Sequence, residues 1–354
     1  MIRFLATEEG GHAPSGRVDT LPPKSVDEAP PPPVGVVLLQ LGGPDRLESV
    51  EPFLLNLFCD PDIIDLPLAF LFRKPLARFI SRRRAPKVRE YYRKIGGGSP
   101  ILRLTNRQAR ALEHELRPMM NAKVFVAMRY WHPSTAEVLG QIREEQIRRV
   151  ILLPLYPQYS VSTTGSSVNE WNRVAGRMNM RNLDLSVIEE YCEHPSYIAA
   201  VVSNIRVALA RVPEQERRKV HIVFSAHGTP MRLVQNGDPY QQQILRTYRA
   251  VTSVGNFDLP HVLCYQSKVG PQKWLEPSLV QTIRRLGAEG VSHVVVVPIA
   301  FVSDHSETLY EINMEVRREA RESGISYYDM VPALNAHPLF IHALADLILR
   351  RVNA

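Results

Sequence analysis

Cysteine is nearly absent from this chain of 354 residues, which contains only Cys59, Cys192 and Cys264. Their wide spacing provides neither the disulfide framework of a small secreted domain nor the paired thiols of a structural zinc site. Disulfides are also rare in the reducing cytoplasm. We therefore expect three reduced thiols in a cytoplasmic protein.

Long apolar runs and nucleotide-binding motifs are missing as well. No stretch approaches the roughly 18 consecutive apolar residues of a membrane-spanning helix, and residues 1–33 lack the apolar centre of a signal peptide. The phosphate-binding patterns GxGxxG and GxxxxGK[ST] do not occur. No motif of a nucleic-acid-binding domain is present either, so we expect no nucleic acid partner.

Acidic residues are fewer than basic ones, and the formal net charge is +7. The first 33 residues end in a proline-rich stretch that predicts a disordered or polyproline lead-in. They hold three basic and five acidic residues, so the rest of the chain carries +9. Such an excess favours an anionic ligand or a membrane surface as the partner.

The apolar residues that are present form two similar halves. Each half contains three runs rich in Val, Ile and Leu, and an amphipathic helix pattern precedes the third run. The runs lie at 34–44, 123–133 and 148–160 in the first half, and at 220–230, 260–271 and 292–304 in the second. Continuous apolar runs that alternate with helices predict parallel strands covered on both faces.

We therefore predict an α/β protein with two duplicated open domains, each built on a parallel sheet flanked by helices. The predicted boundaries are residues 34–205 plus 335–354 for one domain and residues 206–334 for the other. Ligands bind such sheets beyond the carboxyl ends of the strands. The polar residues that follow the six runs are therefore candidates for one shared cleft.

The segment 51–84 combines apolar and basic residues in an unusual way. One helical stripe is apolar and consists of Leu68, Leu71, Phe72, Leu76, Phe79 and Ile80. Six positive charges accompany it without an acid, at Arg73, Lys74, Arg78 and 82–84. Pro75 is expected to break or kink the helix. The pattern is typical of an interfacial membrane element, and equally of a core-facing helix with a basic exposed side.

The segment SDHSETLYEINME at 303–315 predicts a helix with one acidic face. Glu307, Glu311 and Glu315 recur every four residues, and carboxylates at that spacing repel one another. Leu309, Ile312 and Val316 fall on the opposite face, which is expected to pack inward. Such a row of acids suits a divalent cation or proton transfer, although a solvated acidic face has the same pattern.

Two histidines follow predicted strands, and two glycine segments lie elsewhere in the chain. His227, in FSAHGTP, is placed to reach the cleft, where it could take up a proton or bind a metal; a structural role is the alternative. His132 has no obvious acidic neighbour, and we expect it to be structural. The glycines at 42–43 and 96–98 are consistent with simple turns.

Taken together, these segments resemble the ferrochelatase family, whose members insert ferrous iron into a porphyrin to make haem. The matching segments run in the family's order and extend over about residues 34–340. They are LGGPD at 41–45, YYRKIGGGSPI at 91–101, RYWHP at 129–133, YPQYSVSTTGSS at 156–167, FSAHGTP at 224–230, GDPY at 237–240, QSKVGPQKW at 266–274 and VPIAFVSDHSETLYEIN at 297–313. The resemblance implies two Rossmann-like domains that enclose a cleft, in agreement with the duplication.

The resemblance also implies a site. His227 and Glu307 would face the porphyrin centre as metal-site, proton-handling catalytic residues. A supporting acidic network is implied for Asp304, His305, Glu311 and Glu315. Porphyrin contacts are implied for Leu41, Arg84, Lys87, Tyr92, Ser99, Arg129, Tyr130, Ser267 and Trp274. Residues 51–84 match the family's hydrophobic lip, where porphyrin entry and peripheral contact with the inner face of the cytoplasmic membrane are expected.

The implied substrates are protoporphyrin IX and Fe(2+), with no permanently bound cofactor and with neighbouring haem-pathway proteins as further partners. Some relatives carry an iron–sulfur cluster with one cysteine in the segment that holds Val161 and three near the C-terminus. No cysteine follows Cys264 here, so we expect no cluster. A second departure is Gln40-Leu41, where many relatives have Asn-Met before the glycines. A monomer is weakly favoured.

Three other functions remain open at this stage. A coproporphyrin ferrochelatase would take a substrate with four carboxylates, for which the apolar lip is less suited. A cobalt chelatase usually presents more histidines at its metal site. A non-catalytic tetrapyrrole carrier would keep the pocket without needing His227 and Glu307.

Overall fold

The computed structural model describes residues 32–62, 69–267 and 272–353. The predicted disordered segment 1–33 lies outside the described residues except for its last two positions. Residues 63–68 of the lip and residues 268–271 of the segment 266–274 lie outside them as well. The structure thus covers most of the predicted site.

The described residues form eight strands and eleven α-helices. The strands are β1 (Val34–Gln40), β2 (Ala122–Met128), β3 (Arg149–Pro154), β4 (Asp184–Val187), β5 (Val220–His227), β6 (His261–Gln266), β7 (His293–Pro298) and β8 (Tyr327–Met330). The helices are α1 (Val50–Phe58), α2 (Ala69–Lys94), α3 (Ile101–Leu116), α4 (Thr135–Glu144), α5 (Ser166–Arg177), α6 (Pro195–Ala210), α7 (Met231–Gln235), α8 (Tyr240–Gly255), α9 (Leu279–Ala288), α10 (Arg317–Glu322) and α11 (Pro338–Val352). Two π-helical segments, Val161–Gly165 and Glu307–Val316, lead directly into α5 and α10.

The strands form two parallel sheets with the same topology. Their orders are β2-β1-β3-β4 and β6-β5-β7-β8, and every neighbouring pair is parallel. The predicted fold class and the duplication are therefore confirmed. The sequence pattern showed only three strands per half, because the fourth strands, β4 and β8, are four-residue edge strands without a continuous apolar run.

Burial on both faces explains the apolar runs. In β1, Val36 and Leu38 point into a core that also contains residues of α3, α6 and α11, whereas Val37 and Leu39 pack with residues of α4 and α5. The first of these cores continues into the second sheet through Ile222 and neighbouring residues. Described residues of both halves thus share one apolar interior within the unit Pro32–Ala354, and the domain boundaries remain a prediction.

The predicted helix before the third strand is present in both halves, and the two begin alike. Ser134 and Glu137 form a capping box at α4, and Ser278 and Gln281 form one at α9. In each box the serine side chain accepts a hydrogen bond from the backbone N–H three residues on, while the longer side chain accepts one from the serine N–H. The duplication therefore extends to the local signals that start these helices.

Helix α2 is not broken at Pro75, although a break was one of the two outcomes expected for this residue. Its chain continues through Pro75 and Pro86, both exposed, so water can bind the carbonyls that these prolines leave without a donor. The helix packs against α1, and the small side chain of Ala85 is buried in the same cluster as apolar residues of α1. Phe72 and Phe79 are 62% and 58% exposed. The core-facing alternative is therefore wrong for these aromatic residues.

Other parts of the predicted stripe are consistent with this picture or lie outside it. Leu76 is also exposed and Ile80 is half-buried. Leu68 and the side chain of Leu71 lie outside the described residues. Within the described part of the chain, no helix is both long enough and apolar enough to cross a bilayer.

Candidate active site

His227 occupies the last position of β5, a central strand of the second sheet. Its Nδ1–H donates to the carbonyl oxygen of Gly228 at 2.6 Å, because a carbonyl oxygen can only accept. Its other ring nitrogen, Nε2, lies 3.5 Å from Oε2 of Glu307. A side chain at position 228 would place Cβ 2.8 Å from the oxygen of Gln266 on β6, so glycine is required beside this histidine.

Glu307 begins the π-helical segment that follows β7. The predicted helix is present, but its turns are wider than those of an α-helix over all ten residues, Glu307–Val316. Ile312 and Val316 are buried as predicted, and Leu309 is half-buried. Long π-helical segments are rare and are found mostly at functional sites. The acidic row is therefore carried by an unusual backbone.

Glu307 lies between two histidines. His305 points its Nε2 toward Oε1 of Glu307 at 3.8 Å, while its Nδ1–H donates to the carbonyl oxygen of Ser303 at 3.0 Å. Burial raises the pKa of Glu307, but the charges of His227 and His305 and the hydrogen bonds to the carboxylate outweigh it and lower the pKa to about 2. Burial lowers the pKa of His305, and its contact with Glu307 reverses this, so the net shift is upward.

The pKa of Glu311 is shifted in the opposite direction to that of Glu307. Burial and the negative charge of Glu307 raise the pKa of Glu311 to about 7. The hydroxyl of Ser267 lies 3.3 Å from Oε2 of Glu307 and 2.8 Å from Oε2 of Glu311, within donating distance of both carboxylates. Ser267 adopts φ +64, a left-handed conformation that is uncommon outside glycine. Its hydroxyl is thus held between one ionised acid and one that titrates near neutral pH.

The remaining members of the predicted acidic network have different surroundings. Asp304 accepts hydrogen bonds from Thr308 Oγ1 at 3.0 Å, Ala333 N at 3.3 Å and Asn335 Nδ2 at 2.8 Å. Its carboxylate therefore fixes the start of the π-helix against the loop that follows β8. Glu315 lines a cavity of about 400 Å³ between the π-helix and residues that follow β6. Glu311, Ser267 and Trp274 border the same cavity.

The predicted porphyrin contacts on α2 include exposed cations and one buried tyrosine. The guanidinium of Arg84 lies 5.7 Å from the centre of the Phe58 ring, and Nζ of Lys87 lies 5.7 Å from the centre of the Tyr91 ring. Tyr92 is buried and donates through its hydroxyl to Ser306 Oγ at 3.3 Å. Burial is the main reason that the pKa of Tyr92 rises to about 12.

The glycine segments are more than turns. Ser99 donates its N–H to the carbonyl oxygen of Pro44 at 2.7 Å, which joins the two segments. A Cβ at Gly98 would lie 2.2 Å from the oxygen of Asp45, and a Cβ at Gly43 would lie 2.6 Å from the Ser99 side chain. These glycines therefore permit a close approach of two loops. Leu41 is half-buried next to them.

Arg129 and Tyr130 belong to a buried cluster around Asp60, which sequence reasoning missed. The fully buried carboxylate of Asp60 accepts hydrogen bonds from the hydroxyls of Tyr130 and Ser166. Nη2 of Arg129 lies 2.9 Å from the same carboxylate, and its Nε donates to Ser166 at 2.8 Å. The structure thus places both side chains in this cluster, and their contact with a porphyrin stays a prediction.

His132 has an acidic partner that the sequence analysis did not anticipate. Its Nδ1 lies 2.8 Å from Oε2 of Glu137, the residue that completes the capping box of α4. Both side chains are exposed. The partner was missed because it lies five residues later, where only the turn into the helix brings it back. A structural role at the start of α4 is consistent with this geometry.

The three cysteines are free, as expected. Across residues 32–62, 69–267 and 272–353, no group of three or more His, Cys, Asp or Glu side chains is arranged to hold a metal ion. The polar groups that the structure does bring together are His227, Glu307, His305, Ser267 and Glu311. They can bind a cation weakly through one imidazole and one carboxylate, and they can accept and pass on protons.

Comparison with known proteins places these observations in a family. The family model for ferrochelatase matches residues 33–352. The ferrochelatase of Geotalea uraniireducens is 48% identical over 320 residues, which cover 90% of this chain and 98% of that protein. The ferrochelatase of Nostoc sp. strain PCC 7120 is 46% identical over 323 residues, which cover 90% of this chain and 82% of that protein.

Solved structures give a likeness in fold. SirB from Bacillus subtilis with Fe3+ matches with a TM-score of 0.51 and 12% identity, over 90% of this chain and 95% of that one. The sirohydrochlorin chelatase SirB from Bacillus subtilis subspecies spizizenii in complex with cobalt gives a TM-score of 0.51 and 10% identity, over 91% and 96% of the two chains. At such low identity these structures show that the two-sheet architecture is that of chelatases, and no more.

Proposed function

The chain belongs to the ferrochelatase family, and from that premise we propose that it inserts ferrous iron into protoporphyrin IX with His227 and Glu307 as its catalytic residues. The reaction is that of a lyase of haem biosynthesis, and two pyrrole protons leave as the 2+ ion enters. Iron and porphyrin are both substrates in this reaction.

The observation that supports these roles is the approach of His227 to Glu307. The two residues come from different elements, the end of β5 and the start of the π-helix, and their side chains meet at 3.5 Å. The His227 side chain is 37% exposed, so the imidazole is open to a ligand from outside. Imidazole and carboxylate are suitable ligands for ferrous iron during transfer.

The same geometry supports a path for the protons. Glu307, with a pKa of about 2, is ionised at neutral pH but is a weak base, so it can hold a pyrrole proton only in passing. Glu311, with a pKa of about 7, can receive that proton through the hydroxyl of Ser267, which lies within hydrogen-bonding distance of both acids. Glu315 lines the cavity beyond Glu311, where protons can reach solvent.

The preference for protoporphyrin is supported by α2. Exposed Phe72, Leu76 and Phe79 give the lip an apolar surface, and Arg84 and Lys87 lie further along the helix. A porphyrin with two carboxylates matches a surface that is apolar with a basic margin better than one with four. The same side chains support a peripheral contact with the cytoplasmic face of a membrane.

The test is zinc or ferrous insertion, followed by absorbance, with protoporphyrin IX and coproporphyrin III compared at equal concentration. We expect turnover of protoporphyrin with the higher kcat/KM. A higher kcat/KM for coproporphyrin would overturn the choice of substrate. Stoichiometric porphyrin binding without any metal insertion would instead indicate a tetrapyrrole carrier.

We also propose that the protein works without an iron–sulfur cluster. The proposal rests on Val161, at the position where cluster-bearing relatives have a cysteine, and on the lack of any cysteine after Cys264. Iron and acid-labile sulfide are expected to be far below one equivalent per chain in protein purified without oxygen. Stoichiometric iron and sulfide would contradict the proposal.

A further inference from the structure

Two adjacent tyrosines near the end of α2 reach the π-helix that carries the acids. The ring of Tyr91 stacks on the ring of Tyr310 with 4.2 Å between centroids and 21° between planes. The hydroxyl of Tyr92 donates to Ser306, the residue immediately before Glu307. The helix that bears the lip is thus joined to the π-helix at its start and one turn further on.

Lysines extend the aromatic pair on both sides. Nζ of Lys87 lies 5.7 Å from the centre of the Tyr91 ring, and Nζ of Lys94 lies 5.3 Å from the centre of the Tyr310 ring. A cation above a ring face is attracted by the negative face of the aromatic quadrupole. Both lysines come from α2, so the contact is reinforced from the side of the lip.

Tyr310 also interacts with the outer end of the acidic row. Burial, together with the charge and hydrogen bonding of Glu315, raises the pKa of Tyr310 to about 12. The charge of Glu315 also helps to raise the pKa of Lys87, although the main cause is the hydrogen bond of Lys87 with Tyr91. Lys87, Tyr91, Tyr310 and Glu315 therefore form one continuous set of contacts from α2 to the acids.

A π-helix needs such support. It is rarer than the α-helix because its wide turns are less favourable, and a segment of this length persists where surrounding contacts hold it. Tyr310 lies between Glu307 and Glu311 in the chain, so a change of winding at Tyr310 would redirect both carboxylates. An anchor at Tyr310 therefore sets the directions of the two acids that the proposed reaction uses.

We propose that Tyr91 and Tyr310 are positioning residues, whose stacked rings hold the π-helix in register with α2 and so keep Glu307 and Glu311 directed at the bound porphyrin. The inference rests on the proposed function. It assigns to the lip helix a second task, since the element that receives the porphyrin also fixes the geometry of the proton acceptors.

The experiment compares Tyr91→Ala, which removes the stack, with Tyr91→Phe, which keeps it. For zinc insertion we expect Tyr91→Ala to lower kcat about tenfold, because the acids are misdirected. KM for the porphyrin should change less than about threefold, because Lys87 loses its contact with the Tyr91 ring but keeps its charge. Tyr91→Phe should retain at least about half of the parent kcat. Arg93→Ala, on the same turn of α2 with Glu90 as its partner, is the matched control and should be unchanged.

A second measurement does not depend on turnover. Hydrogen exchange of the amides of residues 307–316 should be faster in Tyr91→Ala than in the parent, and similar to the parent in Tyr91→Phe and Arg93→Ala. Unchanged exchange and unchanged kcat in Tyr91→Ala would overturn the inference, as would a rise in KM alone. A loss in Tyr91→Phe as large as in Tyr91→Ala would also overturn it, since the stack would then not be the cause. If the parent inserts no metal, the proposed function fails, and the exchange data still decide whether the stack holds the helix.

Discussion

The two halves of the protein have the same strand order and yet use their strand ends differently. In each half the third strand of the order, β3 or β7, leads to a π-helical segment at the start of a helix. In the first half this segment is Val161–Gly165, where Ser160 Oγ and the N–H of Val161 donate to Asp238 at 2.9 Å. In the second half it is Glu307–Val316, which carries the acidic row.

The difference lies in how deeply the polar groups are buried. In the first half Arg129, Tyr130 and Ser166 all direct their polar atoms to the buried carboxylate of Asp60. In the second half the His227 side chain is 37% exposed beside Glu307. One strand order thus carries a buried ionic cluster in one half and a partly exposed imidazole beside a carboxylate in the other, so what each half can do depends on its side chains and not on the fold.

The test of this comparison with the largest expected effect is to replace His227 and Glu307. We expect Glu307→Gln and His227→Ala each to lower kcat for metal insertion by about 100- to 1,000-fold, the range expected when a positioned proton acceptor is lost. Porphyrin affinity, measured by fluorescence quenching, should change only slightly, because neither side chain belongs to the lip.

The matched control is Thr163→Val in the π-helical segment of the first half. Its hydroxyl donates to the carbonyl oxygen of Ser160 at 3.4 Å, and Val has the same shape without the hydroxyl. We expect its kcat to stay within about twofold of the parent. Near-normal insertion by both Glu307→Gln and His227→Ala would refute the roles assigned to Glu307 and His227. A large loss of kcat in Thr163→Val would show that the π-helical segment of the first half is needed for turnover as well.

Replacing Asp60 in the first half should lower the free energy of unfolding, whereas the variants of His227 and Glu307 should lower kcat. Asp60→Asn removes the charge that pairs with Arg129 inside the protein, at an Nη2 to Oδ2 distance of 2.9 Å. Leaving a buried charge without its partner costs about 3 kcal/mol. We expect urea unfolding to show a loss of that order in the free energy of unfolding.

Asp184→Asn provides the comparison on the surface of the same half. Asp184 pairs with Arg149 at 3.6 Å, and its side chain is 70% exposed, so its loss should cost less than about 1 kcal/mol. Equal losses in the two variants would mean that the buried Asp60 cluster stabilises the protein no more than an exposed ion pair does.

Most of the fold could be predicted from the sequence because the central strands are buried on both faces. Six of the eight strands coincide with continuous apolar runs, and the Ser-initiated helices α4 and α9 have visible start signals. The edge strands β4 and β8 have one neighbour each and are only four residues long, so no continuous run marks them. The continuation of α2 through Pro75 could not be predicted either. Exposure to water decides whether a helix tolerates a proline, and the sequence pattern does not give the exposure of Pro75.

The proximity of His227 to the acidic row was easier to predict from the sequence than the Asp60 cluster. The acidic residues repeat along one element, and His227 follows a strand directly, so local patterns reveal both. Asp60 gave no such signal, because its partners Tyr130 and Ser166 lie 70 and 106 residues away and only the fold brings them together. The positive φ of Ser267 was equally invisible, since no glycine marks that position.

The pH dependence of stability can sharpen the contrast further. Glu311 has a pKa of about 7 in the folded protein against an ordinary 4.5, so it binds a proton more tightly when folded. Its stabilising contribution is therefore complete below about pH 4.5 and is lost as the pH rises through 7. Glu311→Gln lacks this loss. As the pH rises from 5 to 8, its free energy of unfolding should therefore increase by about 2 kcal/mol relative to that of the parent, at about 1.4 kcal/mol per pKa unit.

Urea unfolding at several pH values measures this difference, with Glu322→Gln at the exposed end of α10 as the control for removing one charge. Glu307 does not titrate in this pH range. Because its pKa is lowered to about 2, the stability that it contributes is lost only when the pH falls below about 4.5. A constant difference between Glu311→Gln and the parent from pH 5 to pH 8 would show that Glu311 is not the group that titrates near neutrality.

The smallest effect is expected at the lip, which is present in one half only. The long helix α2 lies between β1 and β2, whereas the short helix α7 and then α8 lie between β5 and β6. Replacing Phe72 and Phe79 by Ser removes two exposed rings and should weaken binding to anionic vesicles about tenfold, or ~1.4 kcal/mol, because each ring would enter the interface only partly. The double replacement of Val207 and Val254 by Ser, two residues exposed to 53% and 56% in the rest of the chain, is the control and should leave vesicle binding unchanged. If both double variants weaken binding equally, attachment to the vesicle is general and the lip is not a specialised surface of the first half.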